Sequence, residues 1–296
     1  DLMYMPTTYP GISIGKAREL LQQTDKLIKS VPEVKTVFGK VGRAETATDP
    51  APLTMIETFI QLKDRSEWRE GVTTESLRQE LDALVKLPGV TNAWVMPIKT
   101  RIDMLATGIK TPVGIKISGP KLTEIQAIGQ QLEIILKDVP GTASVYSERV
   151  AGGRSIKVDI QREKAARYGL NIADVQQVVA IAIGGMNVTK TVEGLSRYPV
   201  NIRYPQDYRN SPEQLSLLPI VTPSGQRIAL ADVANVFVED GPPGIKSENA
   251  RLNGWSFIDI EGVDVGSYVV EAQKVVAEKL KLPAGYSIGW SGQYEY

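Results

Sequence analysis

The sequence contains neither cysteine nor histidine in 296 residues. That removes disulfides, thiolate and imidazole catalysis, and every Cys/His zinc spacing together. Any metal site must therefore use carboxylate, carbonyl or thioether groups. Net charge is also missing, because 34 basic residues cancel 34 acidic ones. The chain as a whole lacks the electrostatic footprint of a protein that grips nucleic acid or an anionic membrane surface. Long apolar runs are absent too: the longest, Val178 to Met186, falls far short of the roughly 18 residues a membrane span needs. Neither a phosphate-cradling glycine loop nor a paired-carboxylate spacing is visible, so no catalytic residue is assigned and the chain is not read as an enzyme. It starts at Asp1 without an initiator methionine or leader, and is expected to be a fragment of a longer protein.

What is present is globular in composition, 42% apolar and 23% charged, and long enough for two or three domains. One pattern organises it: an amphipathic helix stops near a proline and the chain turns into a β-branched or aromatic strand. This happens at Pro32, Pro88, Pro140 and Pro283, each preceded by helical spacing such as Leu21, Thr24, Leu27, Ile28 or Val269, Ala272, Val276. The prolines lie 56, 52 and 143 residues apart, so the last interval holds about 90 extra residues. The fold class is α+β. Two βαβ units make a βαββαβ ferredoxin-like sandwich. The expected domains are therefore 1–105, a first sandwich; 106–152 and 243–296, the two parts of a second; and 153–242, an inserted mixed α/β module. Within the insertion, 155–160 and 198–204 have strand composition, Asn171 and Asp174 form a helix start, and Ser211-Pro212-Glu213 opens a short helix.

Six methionines occur, five of them in the first 104 residues. Methionine is ordinarily an adaptable core filler, and Met3 and Met96 are read that way. Period-two alternation sets Met55 with Glu57, Phe59 and Gln61, opposite Ile56, Ile60 and Leu62, and sets Met3 and Met5 on one face of the opening strand. Met104 stands beside Arg101 and Asp103 in TRIDMLATGIKTP, read as the segment joining the sandwiches. Thioethers are neutral, soft ligands suited to Cu(I) and Ag(I) and poorly suited to zinc, magnesium or calcium. Core filling and metal binding both remain open on spacing alone.

The segments DLMYMPTTYPGIS, VPEVKTVFGKVGRAETATDPAPL, RIDMLATGIKTPVGIKISG, GGRSIKVDIQREKAARYGL, TVEGLSRYPVNIRYPQDYR and IALADVANV carry a resemblance that runs end to end. The chain resembles the second large periplasmic loop of resistance-nodulation-division efflux pumps, specifically heavy-metal exporters of the Cus/Sil copper and silver type. The resemblance implies two porter subdomains with a docking subdomain inserted in the second, and a periplasmic location as the loop of an inner-membrane protein. It implies a three-methionine site, Met5, Met55 and Met104, in the cleft between the porter subdomains, with Glu57, Arg101, Asp103 and Lys110 as gate or relay residues. No tightly bound cofactor is expected; Cu(I) or Ag(I) is the transported ligand. The implied partners are other protomers in a homotrimer, a periplasmic adaptor and an outer-membrane channel. Two further readings are an organic-solute porter with a methionine-lined apolar pocket, and a purely structural docking module.

Overall fold

The computed structural model of the chain describes residues 1–8, 10–42 and 52–295. Part of the segment VPEVKTVFGKVGRAETATDPAPL, residues 43–51, lies outside them. The chain divides into two compact units, Asp1–Gly153 with Pro242–Tyr296, and Arg154–Gly241.

The first unit opens with β1 (Leu2–Tyr4), a short β2 (Thr7–Thr8), α1 (Ile14–Lys29), β3 (Val34–Val41), β4 (Ile56–Leu62), α2 (Thr74–Leu84), a short β5 (Val90–Thr91), β6 (Trp94–Val95) and α3 (Pro97–Thr107). Each of the two long helices starts at a side-chain cap that satisfies an otherwise orphaned backbone N–H: Ser13 accepts from Lys16 N, and Thr73 and Ser76 form a reciprocal box. Both then bury the stripe expected from their spacing, Ala17, Leu21, Thr24 and Ile28 on α1, and Leu77 and Leu81 on α2. The sheet order is β3-β4-β1-β6, so the first strand of the βαββαβ succession lies in the middle and the fourth at an edge. Leu2, Tyr4, Ile28, Ile60, Leu77 and Leu81 form the core on the helix side of this sheet. Burying each aliphatic side chain contributes roughly 1.5–3 kcal/mol.

The second half of the unit repeats the scheme with β7 (Val113–Gly119), α4 (Leu122–Lys137) and β8 (Thr142–Ser147). The chain then leaves for the inserted unit, built from β9 (Gly153–Ile160), α5 (Arg162–Arg167), α6 (Ile172–Val179), the hairpin β10 (Met186–Glu193) and β11 (Ser196–Ile202), α7 (Pro212–Ser216), the small ladder β12 (Pro219–Val221) with β13 (Arg227–Ala229), and β14 (Ala234–Gly241). Asn171 and Asp174 form the expected box on α6, and Ser211 caps α7. The strand expected at 198–204 starts and ends two residues earlier and pairs with β10 in a hairpin whose residues are all exposed. Past Val179 α6 runs on into a π-type turn at Ala180–Gly184. Leu215, Leu218, Ile220, Leu230 and Val233 make this unit's core.

Back in the first unit, β15 (Lys246–Glu248), β16 (Arg251–Ile260), α8 (Val265–Lys279) and β17 (Ser287–Gly292) complete a sheet of order β15-β16-β7-β17, with β8 also on β16. The succession β7, β8, β16, β17 again has its first strand inside and its fourth at an edge. Val113, Ile115 and Ile117 of β7 pack under Ile125, Leu132, Val269 and Ala272 of α4 and α8.

The segment read from sequence as a plain connection between sandwiches is a helix, α3. Pro97 starts it, where the missing N–H costs nothing, and Gly108 ends it at φ 81.

Candidate metal site

β1 and β4 pair antiparallel with Leu2 opposite Ile60, Met3 opposite Phe59 and Tyr4 opposite Thr58, and the bridge between Thr7 and Met55 continues the same register. Pro6 has no N–H to give, but its carbonyl accepts from Ile56 N at 3.4 Å, so the strands stay together across it. Residues directly opposite share a sheet face, which puts Met3, Met5 and Thr7 with Met55, Glu57 and Phe59, away from the helices. The register sets Met5 opposite Glu57 and diagonal to Met55, a Cα separation of about 7–8 Å that long side chains bridge. Met5 is fully buried; Met55 is half-buried.

Met104 arrives by a different route. β6 pairs with β1 on the side away from β4, Val95 opposite Met3, and α3 departs directly from β6. After α3 the left-handed Gly108 turns the chain, and two residues on Lys110 Nζ donates to the Met5 carbonyl at 3.4 Å and to the Thr7 hydroxyl. The helix thus starts and finishes beside β1. Met104, half-buried, lies one turn before Gly108, whose N–H donates to the Met104 carbonyl at 2.9 Å.

Lys110 governs the electrostatics. Its ammonium is buried, with Phe257 of the second sheet 5.3 Å from it. Burial pushes its pKa down to about 8; Lys246 adds to the fall, and Glu148 and Glu57 oppose it. Glu57 is buried against Lys40 at 2.8 Å, so its charge already has a partner. Asp103 turns inward, where Lys99 lies 3.3 Å and Gln293 Nε2 3.1 Å from its carboxylate. The strongest carboxylate shift lies elsewhere: the Arg69 guanidinium holds Glu33 down at about 2, a structural pair far along β3 from the methionines.

Of the residues singled out from sequence, Met5, Met55, Glu57 and Lys110 converge on the β1–β4 face, while Met104 lies on α3, the helix that leads from β6 to Lys110. Asp103 is buried on the inner side of α3, while Arg101 is exposed. Met3 is buried and shares the Met5 face; Met96 fills no gap, being 53% exposed at the start of α3. Sequence reasoning missed Thr7, Phe257 and Gln293. Extending the Met3/Met5 alternation by one step would have found Thr7; the other two come from more than 140 residues away and leave no local signal. Among the described residues no cluster of three or more acidic side chains suits a hard cation. A separate cavity of about 310 Å³, lined by Leu2, Arg78, Trp94, Met96, Lys99 and Lys110 among others, opens at the β6 edge.

Twin sheets of one strand order interrupted by a third module accompany a family match: the chain belongs to the AcrB/AcrD/AcrF family, whose model matches residues 1–296. Individual relatives narrow this further. The chain is 56% identical over 295 residues to the cation efflux system protein CusA of Escherichia coli (strain K12), covering 100% of this chain and 28% of that protein. It is 32% identical over 303 residues to the cobalt-zinc-cadmium resistance protein CzcA of Cupriavidus metallidurans, again covering 100% of this chain and 28% of the relative. The crystal structure of a heavy metal efflux pump superposes with a TM-score of 0.90 at 27% identity, covering 99% of this chain and 31% of that one. The chain thus spans less than a third of the length of these relatives. Among its described residues no helix is long and apolar enough to cross a membrane.

Proposed function

We propose that the chain is the periplasmic porter segment of a proton-driven Cu(I)/Ag(I) efflux pump and that Met5, Met55 and Met104 hold the metal between its two subdomains. The observation that carries this is the β1–β4 register, which brings Met5 and Met55 onto one face beside the α3 flank that bears Met104. Three neutral sulfurs suit a soft monovalent ion, and the lack of cysteine and histidine leaves no competing soft or borderline donor. The 56% identity to a cation efflux system protein supports a metal cargo. In this reading Lys110 is the gate: its ammonium is tied to the Met5 backbone and Thr7, and loss of its proton removes a positive charge from the path of a cation. The subdomains open and close around the site, while the proton gradient is used by membrane helices outside this chain. Homotrimer assembly, an adaptor and an outer-membrane channel complete the proposed system.

The test is titration with Ag(I), or Cu(I) under reducing conditions, following methionine methyl resonances. One saturable site that shifts the Met5, Met55 and Met104 methyls and weakens in each Met→Leu variant is the expected result. A folded sample with no such shifts would remove the metal site. The cavity at the β6 edge favours a second reading, an organic-solute porter; in that case apolar solutes shift the Met96 methyl and silver shifts none.

A further inference from the structure

The helix α3 is amphipathic the wrong way round. Thr100, Asp103 and Thr107 face inward and are buried, whereas Ile98, Ile102 and Leu105 are 78%, 59% and 68% exposed. Two of these inward residues, Asp103 and Thr107, are hydrogen-bonded through their side chains. Thr107 Oγ1 donates to the Asp103 carbonyl at 2.8 Å and accepts from Ile109 N at 3.1 Å, and the Asp103 carboxylate accepts from Lys99 and Gln293. Of these bonds the one from Gln293 reaches α3 from another part of the chain, so it ties the Asp103 side inward and leaves the apolar side outward. At 3.6 residues per turn, Ile98, Ile102 and Leu105 form one stripe, with Lys99 on one rim and Arg101 on the other. No carboxylate is exposed on the helix: Asp103, its one acidic residue, is buried.

We propose that this face of α3 lies on an anionic lipid surface, with Ile98, Ile102 and Leu105 in the headgroup–acyl boundary and Arg101 against lipid phosphates, while the Lys99 ammonium stays with Asp103. An apolar stripe edged by an exposed arginine, with no exposed carboxylate on the helix, is the pattern of a helix lying in a bilayer interface. Eleven residues, about 16 Å of helix, can lie along a membrane and cannot cross it. A second copy of the chain fits the face less well, since three side chains bury far less than the roughly 800 Å² per partner of a stable interface. The zero net charge of the whole chain does not bear on this local pairing. The consequence is positional: Met104 sits on the flank of α3 next to the Arg101 rim, so the cleft would open at the membrane surface.

Co-sedimentation of the 296-residue chain with vesicles of pure phosphatidylcholine and with vesicles enriched in phosphatidylglycerol tests the proposal. Binding is expected to favour the anionic vesicles and to weaken by at least roughly tenfold when Ile98, Ile102 and Leu105 are all changed to Gln. Ile134→Gln, an exposed isoleucine of α4, should leave binding unchanged, and Arg101→Gln should reduce the preference for anionic lipid. Because cysteine is absent, Leu105→Cys gives a unique attachment point for a polarity-sensitive dye, which should blue-shift on the vesicles. Wild type that binds neither vesicle, or a triple variant that binds as well as wild type, overturns the proposal and leaves the face to a protein. Binding without lipid-charge preference overturns the phosphate contacts. Self-association in the absence of lipid that the triple variant abolishes assigns the face to a second copy.

Discussion

The two sheets of the first unit share a strand order and differ in the face turned away from their helices. On the first sheet that face carries Met3, Met5, Thr7, Met55, Glu57 and Phe59, with thioethers as its main donors. On the second, the registers line up Lys246, Trp255, Lys116, Phe257 and Tyr146. There Lys246 stands 3.9 Å and Lys116 5.7 Å from the Trp255 ring, and Lys116 pairs with Glu248 at 2.9 Å. One scaffold thus yields a thioether-rich face and one of aromatic rings with lysine–glutamate pairs, Lys116 with Glu248 and Lys246 with Glu148. In the proposed reading a soft monovalent ion is held by the thioethers of the first face, with Lys110 at the seam between the two sheets. Topology set the backbone; the alternate side chains of a few strands decided the chemistry.

The strongest way to break this contrast is to set a core position beneath the second sheet against the open face of the first. Ile117→Ala, at a fully buried position of β7, should lower stability by about 2–5 kcal/mol in denaturant unfolding, whereas Met55→Leu on the open face should cost less than about 1.5 kcal/mol. Equal losses would mean the soft face is ordinary core. Lys110→Met comes next. A lysine whose pKa falls from 10.5 unfolded to about 8 folded penalises the native state wherever it stays charged, by up to about 3 kcal/mol below pH 8. In that range the variant should be the more stable protein, less whatever the Thr7 and Met5 hydrogen bonds contribute. Between pH 8 and about 10.5 the unfolded chain binds the extra proton, so wild-type stability rises with pH and the gap closes. Unfolding midpoints measured across this range check the sign; a gap that does not narrow would contradict a buried ammonium at the seam. The smallest effect is expected at Gly108. A β-carbon there would stand 2.5 Å from Cη2 of Trp255 at a backbone φ of 81°, so Gly108→Ala should cost about 1–3 kcal/mol and shift the Met104 methyl resonance as α3 is displaced.

Much of the fold was legible because it is written locally. The four helix ends near Pro32, Pro88, Pro140 and Pro283, the extra length before the last of them, and the Asn171 and Ser211 caps all follow from short-range rules. The faces of Met5 and Met55 were legible for the same reason, since a strand has a strict period of two. The helix α3 was not, although Pro97 and Gly108 mark its ends. A search for a buried apolar stripe finds none there, because the buried stripe is Thr100, Asp103 and Thr107. The surroundings of Lys110 were illegible on other grounds: Thr7 and Phe257 lie 103 and 147 residues away, and only the folded chain brings them to one ammonium.

The inserted unit is entered through β9 and left through β14, and these two strands pair with each other, with Lys157 and Glu239 3.1 Å apart across them. Departure and return therefore fall within about 5 Å, the spacing of neighbouring strands. A cassette attached this way asks almost nothing of its host. Its length can grow or shrink at a loop-closure cost that rises only logarithmically, and a tight turn could span the gap if it were deleted. The insertion can then be revised in length and surface, as an interchangeable part is, without re-registering the strands that hold the methionines.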